Sequence, residues 1–405
     1  MATALSDLTT LINDRRRDSG TNSIDMTTVG FRAINSALRI WNEVHDWPWT
    51  IKKVNFNYNS GVDTYALDSI VTDFKYPLTL KYYKPNNKIS EFWLVSPLRF
   101  DSAYLFNRRF AIDVSAQVQT IRVNSLDGNS APINTATAYN QNGTWVGASA
   151  IGTVATDNYE GYSFPTSVSF AFNGTAGTLT NSTFSAVNLT AYQNRSNIYV
   201  DINAPSVTNL TSYTLKWGTD ASNYYTVSAT ADYLGAAFAT GWTRLKFAWS
   251  SPTTVGTPTV SSIGYVQLTV TCSGSTNLGT FRVQNFFVSE NIPITLTYYS
   301  TNMVATTAGV QAQIFASASA TTDQPLWTGR WDMATEPFID SVLETVFWIT
   351  GEYTDLAVAK NKILEIVTPL KQRYPSQRRY PTMQMIPDVN YQGESEFNRN
   401  RWSSW

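Results

Sequence analysis

Residues 24–58, IDMTTVGFRAINSALRIWNEVHDWPWTIKKVNFNY, change their hydrophobic period halfway along, and this change decides the fold. In the first half, Ile34, Leu38 and Trp41 recur at spacings of three and four, which predicts one apolar face of a helix. Pro48 ends that pattern because it disfavours helical geometry at the residue before it and has no amide hydrogen to donate. In the last six residues apolar and polar side chains alternate, which predicts a half-buried strand. A helix, a tryptophan corner and a strand therefore form one unit.

The composition indicates a β-rich chain with more than one core. The 405 residues are 14% aromatic and 15% charged, with a net charge of -1. This balance argues against disorder and gives no electrostatic case for binding nucleic acid or an anionic membrane. No apolar run approaches the roughly 20 residues of a membrane span, and no signal peptide is evident. We expect a soluble protein that is made in a cytoplasm.

The residue types needed for much of catalysis are scarce. His45 and Cys272 are the only histidine and cysteine, which argues against histidine triads, Cys–His pairs and zinc clusters. No phosphate-binding glycine loop is present. Paired carboxylates are still available for glycoside hydrolysis, but no spacing singles out a pair. The candidates are Asp157, Glu160, Asp201, Asp220 and Asp232. We predict no catalytic residue, no metal, no cofactor and no enzymatic activity, and we expect His45 to be a packed corner residue.

The middle of the chain has a different composition from its ends. From about Asp113 to Thr322 charged residues nearly vanish, and short alternating segments recur between turn residues. The clearest are 118–123, 168–172, 198–202, 213–217, 245–249, 266–270 and 281–288. Many short strands at this spacing predict an antiparallel β-sandwich, most simply a jelly roll.

The two ends predict a second, helical unit around this sandwich. Pro293–Tyr299 echoes Pro77–Tyr83, so two strands of one sheet could flank an insertion, although coincidence among β-prone residues is the alternative. We therefore predict an α+β multidomain protein. Its parts are a helical core with a small β-sheet from residues 1–112, an inserted β-sandwich at 113–291, the rest of the core at 292–372, and an extended arm at 373–405.

Two surfaces are candidates for binding. The arm has prolines and too little apolar sequence for a core, yet it carries aromatic and arginine residues that suit docking on a partner. They are Tyr391, Phe397, Arg399, Arg401, Trp402 and Trp405. A dispensable tail is the alternative. In the sandwich, Trp145, Tyr224 and Trp242 would suit stacking on sugar, but core packing explains them equally well. The segment from Gly218 to Tyr225 could hold calcium or sugar, although an ordinary Asp/Asn turn fits it better.

The ends of the chain resemble tailed-bacteriophage head-to-tail adaptor proteins. The residues that carry this resemblance are Ala33–Leu38 running into Asp46-Trp47-Pro48-Trp49, then Asp323–Trp327, Trp331, the helix around 338–347 and the last helix to Arg373. The similarity covers roughly residues 1–100 and 292–405. Asp-Trp-Pro-Trp after an amphipathic helix is its most specific motif. The large middle domain departs from the short members of the family.

The resemblance implies a structural virion protein. It would form a ring, a dodecamer in the family, that docks onto the portal protein by its C-terminal arm and joins it to tail or nozzle proteins. DNA would pass through the lumen without sequence-specific contacts, and the protein would sit in the neck of the virion. Residues 205–290 look like the jelly-roll modules of phage virion proteins. The alternative hypothesis is therefore a carbohydrate-binding tail or fibre module, and a weaker one is a glycan-cleaving enzyme.

Overall fold

The structure, a computed structural model, describes residues 4–18, 25–83, 89–101, 108–115, 118–124, 130–132, 144–157, 167–329, 332–351 and 356–376. The helices are α1 (Leu5–Asp18), α2 (Phe31–Val44), α3 (Leu67–Ile70), α4 (Thr335–Ile349) and α5 (Leu356–Arg373). The first strands are β1 (Ile51–Asn59), β2 (Thr64–Ala66), β3 (Phe74–Tyr83), β4 (Ile89–Leu94), β5 (Arg109–Ser115), β6 (Val118–Asn124) and β7 (Ser130–Pro132). The next are β8 (Trp145–Asp157), β9 (Ser167–Asn181), β10 (Ser196–Ala204), β11 (Leu210–Asp220), β12 (Asn223–Ala229), β13 (Gly241–Ala248), β14 (Thr253–Val255) and β15 (Tyr265–Ser300). The last are the two-residue strands β16 (Val304–Ala305), β17 (Gln311–Ala312) and β18 (Gln324–Pro325). The described chain is thus mostly β, with few helices.

The four longer helices enclose the first of three main hydrophobic cores. The apolar face of α2 packs against α4, as its spacing of three and four predicts, and α4 in turn contacts α1 and α5. The tryptophan corner lies inside this core, where Trp47 stacks on Trp41 at 5.1 Å and on Trp49 at 4.7 Å between ring centroids. The indole nitrogen of Trp41 donates to the Ser341 hydroxyl of α4 at 2.9 Å. Aromatic packing and this hydrogen bond fix the angle at which α2 enters β1.

A small sheet forms the second core. The last part of β15 lies between β1 and β3, so the similar segments 77–83 and 293–299 are neighbouring antiparallel strands. The strand β6 differs from the sequence prediction, which places residues 118–123 in the sandwich. It pairs with β5 and β2 and buries Ile121 and Val123 in the small sheet. Its strand partners are non-local, and the alternation within residues 118–123 does not identify them.

The sandwich forms the third core and confirms the predicted antiparallel β-sandwich. One sheet has the order β14-β12-β11-β15-β9-β8, and the other contains β13, β10 and a later part of β15. Segments 266–270 and 281–288, which the sequence presents as separate strands, belong to the single 36-residue strand β15. This strand runs through both sheets and on into the small sheet. The predicted domain boundaries remain predictions.

Candidate functional site

The candidate site is the outer surface of the sandwich sheet with the order β14-β12-β11-β15-β9-β8, and we call it the polar face. Along β11, Tyr213, Leu215 and Trp217 are buried in the sandwich core, so Thr214 and Lys216 point outward. The same alternation continues across the neighbouring strands. It gives the polar face these members: Thr178, Thr180, Thr214, Lys216, Tyr224, Thr226, Ser228, Tyr265, Gln267 and Thr269. Hydroxyl, amide, ammonium and phenol groups therefore share one side of a regular sheet.

Strand register orders these side chains into rows. One row crosses the sheet as Thr226, Lys216, Gln267 and Thr180, and the next as Ser228, Thr214, Thr269 and Thr178. Within the rows, the Gln267 amide donates to the Thr180 hydroxyl at 2.9 Å, and the hydroxyls of Thr214 and Ser228 lie 2.7 Å apart. These bonds hold the donors and acceptors in place before any ligand binds.

Tyr224 supplies an aromatic ring beside the first row, two residues before Thr226 on β12. Its ring is partly exposed, and the ammonium nitrogen of Lys216 lies 4.6 Å from the ring centroid. Tyr224 and Tyr265 flank Gly218 in register, one on each side. A Cβ atom at Gly218 would lie 2.1 Å from the carbonyl oxygen of Asn223, so only glycine allows this approach. Tyr265 is buried, and its burial raises the pKa of the phenol.

The three aromatic residues predicted for sugar stacking are not brought together. Trp145 is 9% exposed and packs its ring on Phe286 at 5.1 Å in the sandwich core, so it offers no surface platform. Its position at the start of β8 points it inward, which an isolated tryptophan in the sequence does not reveal. Trp242 lies on β13 in the opposite sheet, next to Asn203, at one of the positions whose side chains point outward. Of the three, only Tyr224 belongs to the polar face.

The other members of the polar face were missed as site residues, although their signal is present in the sequence. Thr214, Lys216 and Gln267 occupy the polar positions of strands whose apolar positions were correctly predicted to be buried. A strand pattern therefore locates outward side chains, but it does not show which strands lie side by side. The shared face emerges only from the pairing of β11, β12 and β15.

The four candidate carboxylates within the described residues each have hydrogen-bond partners. Asp201 is fully buried and accepts two hydrogen bonds from Arg244, at 2.6 and 3.0 Å, and one from Asn285 at 2.7 Å. Asp157 pairs with Arg282 at 2.8 Å. Contacts of this kind hold neighbouring strands together. Glu160 lies outside the described residues.

The two remaining described carboxylates, those of Asp220 and Asp232, accept hydrogen bonds from residues that follow closely in the sequence. The side chain of Asn223 and the amides of Ser222 and Asn223 donate to Asp220 and lower the pKa of its carboxyl. Asp232 accepts from the amides of Leu234 and Ala236. The segment after Gly218 is therefore an Asp/Asn turn. Among the described residues, no group of three or more His, Cys, Asp or Glu side chains could hold a metal ion.

The arm residues predicted to bind a partner lie outside the described residues. They are Tyr391, Phe397, Arg399, Arg401, Trp402 and Trp405. Trp331 lies outside as well. In the part of the chain that the structure describes, no helix is long and apolar enough to cross a membrane.

Comparisons with known proteins give fold-level likenesses only. No family model matches the sequence, and no curated protein matches it. The structure is similar to the family 30 carbohydrate-binding module of a cellulosomal cellulase of Clostridium thermocellum, with a TM-score of 0.29, 10% identity, and coverage of 38% of this chain and 96% of that one. It is also similar to the family 11 module of Clostridium thermocellum in complex with a mixed-linked tetrasaccharide, with a TM-score of 0.29, 12% identity, and coverage of 42% and 98%. A promiscuous module of the β-sandwich superfamily has a TM-score of 0.28, 12% identity, and coverage of 60% and 97%. These neighbours are β-sandwich binding modules, and what they bind is a property of those proteins.

Proposed function

We propose that the polar face binds carbohydrate and that the chain is a binding and assembly protein rather than an enzyme. The observation that supports this is the placement of the Tyr224 ring, under the Lys216 ammonium, beside two ordered rows of hydroxyl and amide groups. Sugars present both apolar C–H faces and dense hydroxyl groups. An aromatic ring complements the former, and side chains that both donate and accept hydrogen bonds complement the latter.

The dimensions of the polar face favour an oligosaccharide over a single sugar. The row from Thr226 to Thr180 crosses four strands, and strands lie about 4.8 Å apart, so it extends over roughly 14 Å. A chain of several sugar units lying across the strands would reach from the Tyr224 ring to Thr180. The face carries one charged group, Lys216, so a neutral or weakly acidic glycan suits it.

A glycan array tests this proposal. The full chain should bind a restricted set of oligosaccharides, and Tyr224→Ala should lose the same set while its melting temperature stays within about 2 °C. Binding that is absent in the wild-type chain, or unchanged in the variant, would contradict the assignment of the polar face.

A second candidate function for the whole chain is a head-to-tail adaptor ring of a tailed phage. The supporting observation is that motifs from both ends of the sequence meet in one core. Trp41 contacts Trp327 at 5.5 Å, and Trp49 contacts Tyr374 at 6.0 Å between ring centroids. The described motifs from the two ends thus share one hydrophobic core, which supports the proposal of an adaptor split by an insertion. In this proposal the sandwich is an accessory domain on the ring.

The adaptor proposal includes partners that can be tested separately. The chain would assemble as a ring of about twelve copies in the virion neck, bind the portal and the tail or nozzle proteins, and let DNA pass through its lumen. Electron microscopy and native mass spectrometry of the purified chain should show closed rings. Truncation at Pro375 should leave a folded body that no longer co-sediments with portal-bearing heads. A strictly monomeric chain, or unchanged co-sedimentation, would contradict it.

A further inference from the structure

A cleft between α2 and the end of α4 is a second candidate binding site, distinct from the polar face. Its volume is about 680 Å³. Its lining includes Phe31, Arg32, Asn35 and Arg39 of α2 and Trp348 of α4. Aromatic side chains and two arginines therefore border one open depression on the surface of the helical unit.

The charge of this cleft is uncompensated within the described residues. Arg32 and Arg39 are exposed and two helical turns apart, about 10 Å along the axis of α2, and both border the cleft. In the described part of the chain, neither has a hydrogen-bond or ion-pair partner. Asn35, between them, is already engaged, since its side chain exchanges two 3.1 Å hydrogen bonds with the backbone of Phe315. The cleft thus offers two guanidinium groups to a ligand that brings its own carboxylates.

The chain itself contains a segment with matching chemistry. Glu394 and Glu396 are followed directly by Phe397, which combines two carboxylates and an aromatic ring within four residues. In an extended segment the two carboxylates point to the same side, about 7 Å apart. The long, mobile side chains of Arg32 and Arg39 can converge on that spacing.

The path of the chain brings this segment within reach. The described part ends at Ser376, whose hydroxyl donates to Asp46 at 3.1 Å just beyond the C-terminal end of α2. The helix α2 is 14 residues long, about 21 Å, so the cleft lies within that distance of the exit point. Seventeen residues lie between Ser376 and Glu394, and such a chain spans up to about 60 Å when extended.

We infer that the cleft binds residues 394–397 of this chain's own tail, with the two glutamates on Arg32 and Arg39 and the Phe397 ring against Trp348. This contact needs neither carbohydrate nor a portal. It gives the tail a resting site on the helical unit, from which another partner would have to displace it.

Site-specific photocrosslinking in the full chain tests this inference. A benzophenone amino acid replaces Phe397, and crosslinked peptides are identified by mass spectrometry after irradiation. Crosslinks are expected in the peptides of α2 and the end of α4. Arg32→Glu with Arg39→Glu should lower their yield about tenfold, because two attractive pairs become repulsive. Adding Glu394→Arg with Glu396→Arg should restore the yield.

A matched pair of charge reversals controls for net charge. Lys53 and Lys362 are exposed on β1 and α5, and neither lines the cleft. Lys53→Glu with Lys362→Glu should leave the crosslink yield within about twofold. If the reversed arginine variant unfolds, Arg32→Gln with Arg39→Gln replaces it and should lower the yield at least about threefold. Crosslinks outside the cleft would overturn the inference, and so would a crosslink yield that does not change in the arginine variants. Hydrogen exchange gives a further check: protection of the cleft that appears only after duplex DNA is added would also overturn it.

Discussion

The hydroxyl of Tyr199 donates a 2.9 Å hydrogen bond to the side-chain oxygen of Asn59, and both residues are buried. Tyr199 belongs to the sandwich, whereas Asn59 ends the first strand of the small sheet. The side-chain nitrogen of Asn59 in turn donates to the side-chain oxygen of Asn291 at 2.7 Å and to the backbone carbonyl of Glu290 at 3.0 Å. At these residues β15 passes from the sandwich into the small sheet. The sandwich is therefore attached through a buried polar junction as well as through a continuous strand.

Removing the centre of this junction should destabilise the protein. Asn59→Ala removes the hydrogen bonds that the Asn59 side chain makes with the buried hydroxyl of Tyr199 and with Asn291. Weakening the pairing of buried polar groups costs about 1–3 kcal/mol, so the urea denaturation midpoint should fall clearly. Asn55→Ala is the matched control on the same strand, because its hydrogen bond to Thr295 is exposed, and it should change stability by less than about 0.5 kcal/mol. Equal midpoints for the two variants would contradict a structural junction.

The tryptophan corner should behave as a core element. Trp47 is fully buried between Trp41 and Trp49, and its indole nitrogen donates to the carbonyl of Trp41 at 2.8 Å. Trp47→Ala should destabilise the helical unit by about 3–5 kcal/mol, measured by thermal or urea unfolding. Trp93→Ala, at a side chain that is half exposed, is the control and should cost far less. A Trp47 variant of normal stability that fails only in partner binding would show that the corner is an interface.

The pH dependence of stability should depend on His45. Burial lowers the pKa of His45, although its hydrogen bond to the Tyr374 carbonyl opposes that shift. Because the unfolded chain takes up a proton near pH 6.5 and the folded chain resists it, stability should be full above that pH and decrease as the pH falls below it. No other side chain of this sequence has an ordinary pKa in this range.

Denaturation midpoints at pH 7.5, 6.5 and 5.5 measure this effect. The wild-type midpoint should fall on acidification, and His45→Asn should flatten the dependence. Aspartates affect stability only at lower pH. Burial raises the pKa of Asp73, for example, but hydrogen bonds from Lys52 and Ser300 outweigh this effect and lower it. Identical slopes for the two proteins would contradict the assignment to His45.

Periodicity predicted the local elements because it reports on contacts close in the sequence. The spacing in α2 and the alternation of Tyr213, Leu215 and Trp217 both gave the correct buried faces. Pairing partners are a different matter, since they depend on residues far apart in the chain. The position of β6 in the small sheet and the unbroken course of β15 could not be read from their own residues.

The same distinction limits what the sequence shows of the candidate site. Trp145 and Tyr224 are both aromatic residues in a charge-poor region, yet one is in the core and the other at the surface. Side chains alternate between the two faces of a strand, and only those on the face towards the opposite sheet are buried. The relation of Tyr224 to Gln267 arises only after β12, β11 and β15 have paired.

Isothermal titration calorimetry with the strongest oligosaccharide from the array tests the polar face most directly. Tyr224→Ala should weaken binding at least about tenfold, because it removes the partly exposed ring of the face. Trp242→Ala should leave the Kd within about twofold, since Trp242 belongs to the opposite sheet. Unchanged affinity in Tyr224→Ala, together with lost affinity in Trp242→Ala, would place the binding surface on the other side of the sandwich and contradict this account.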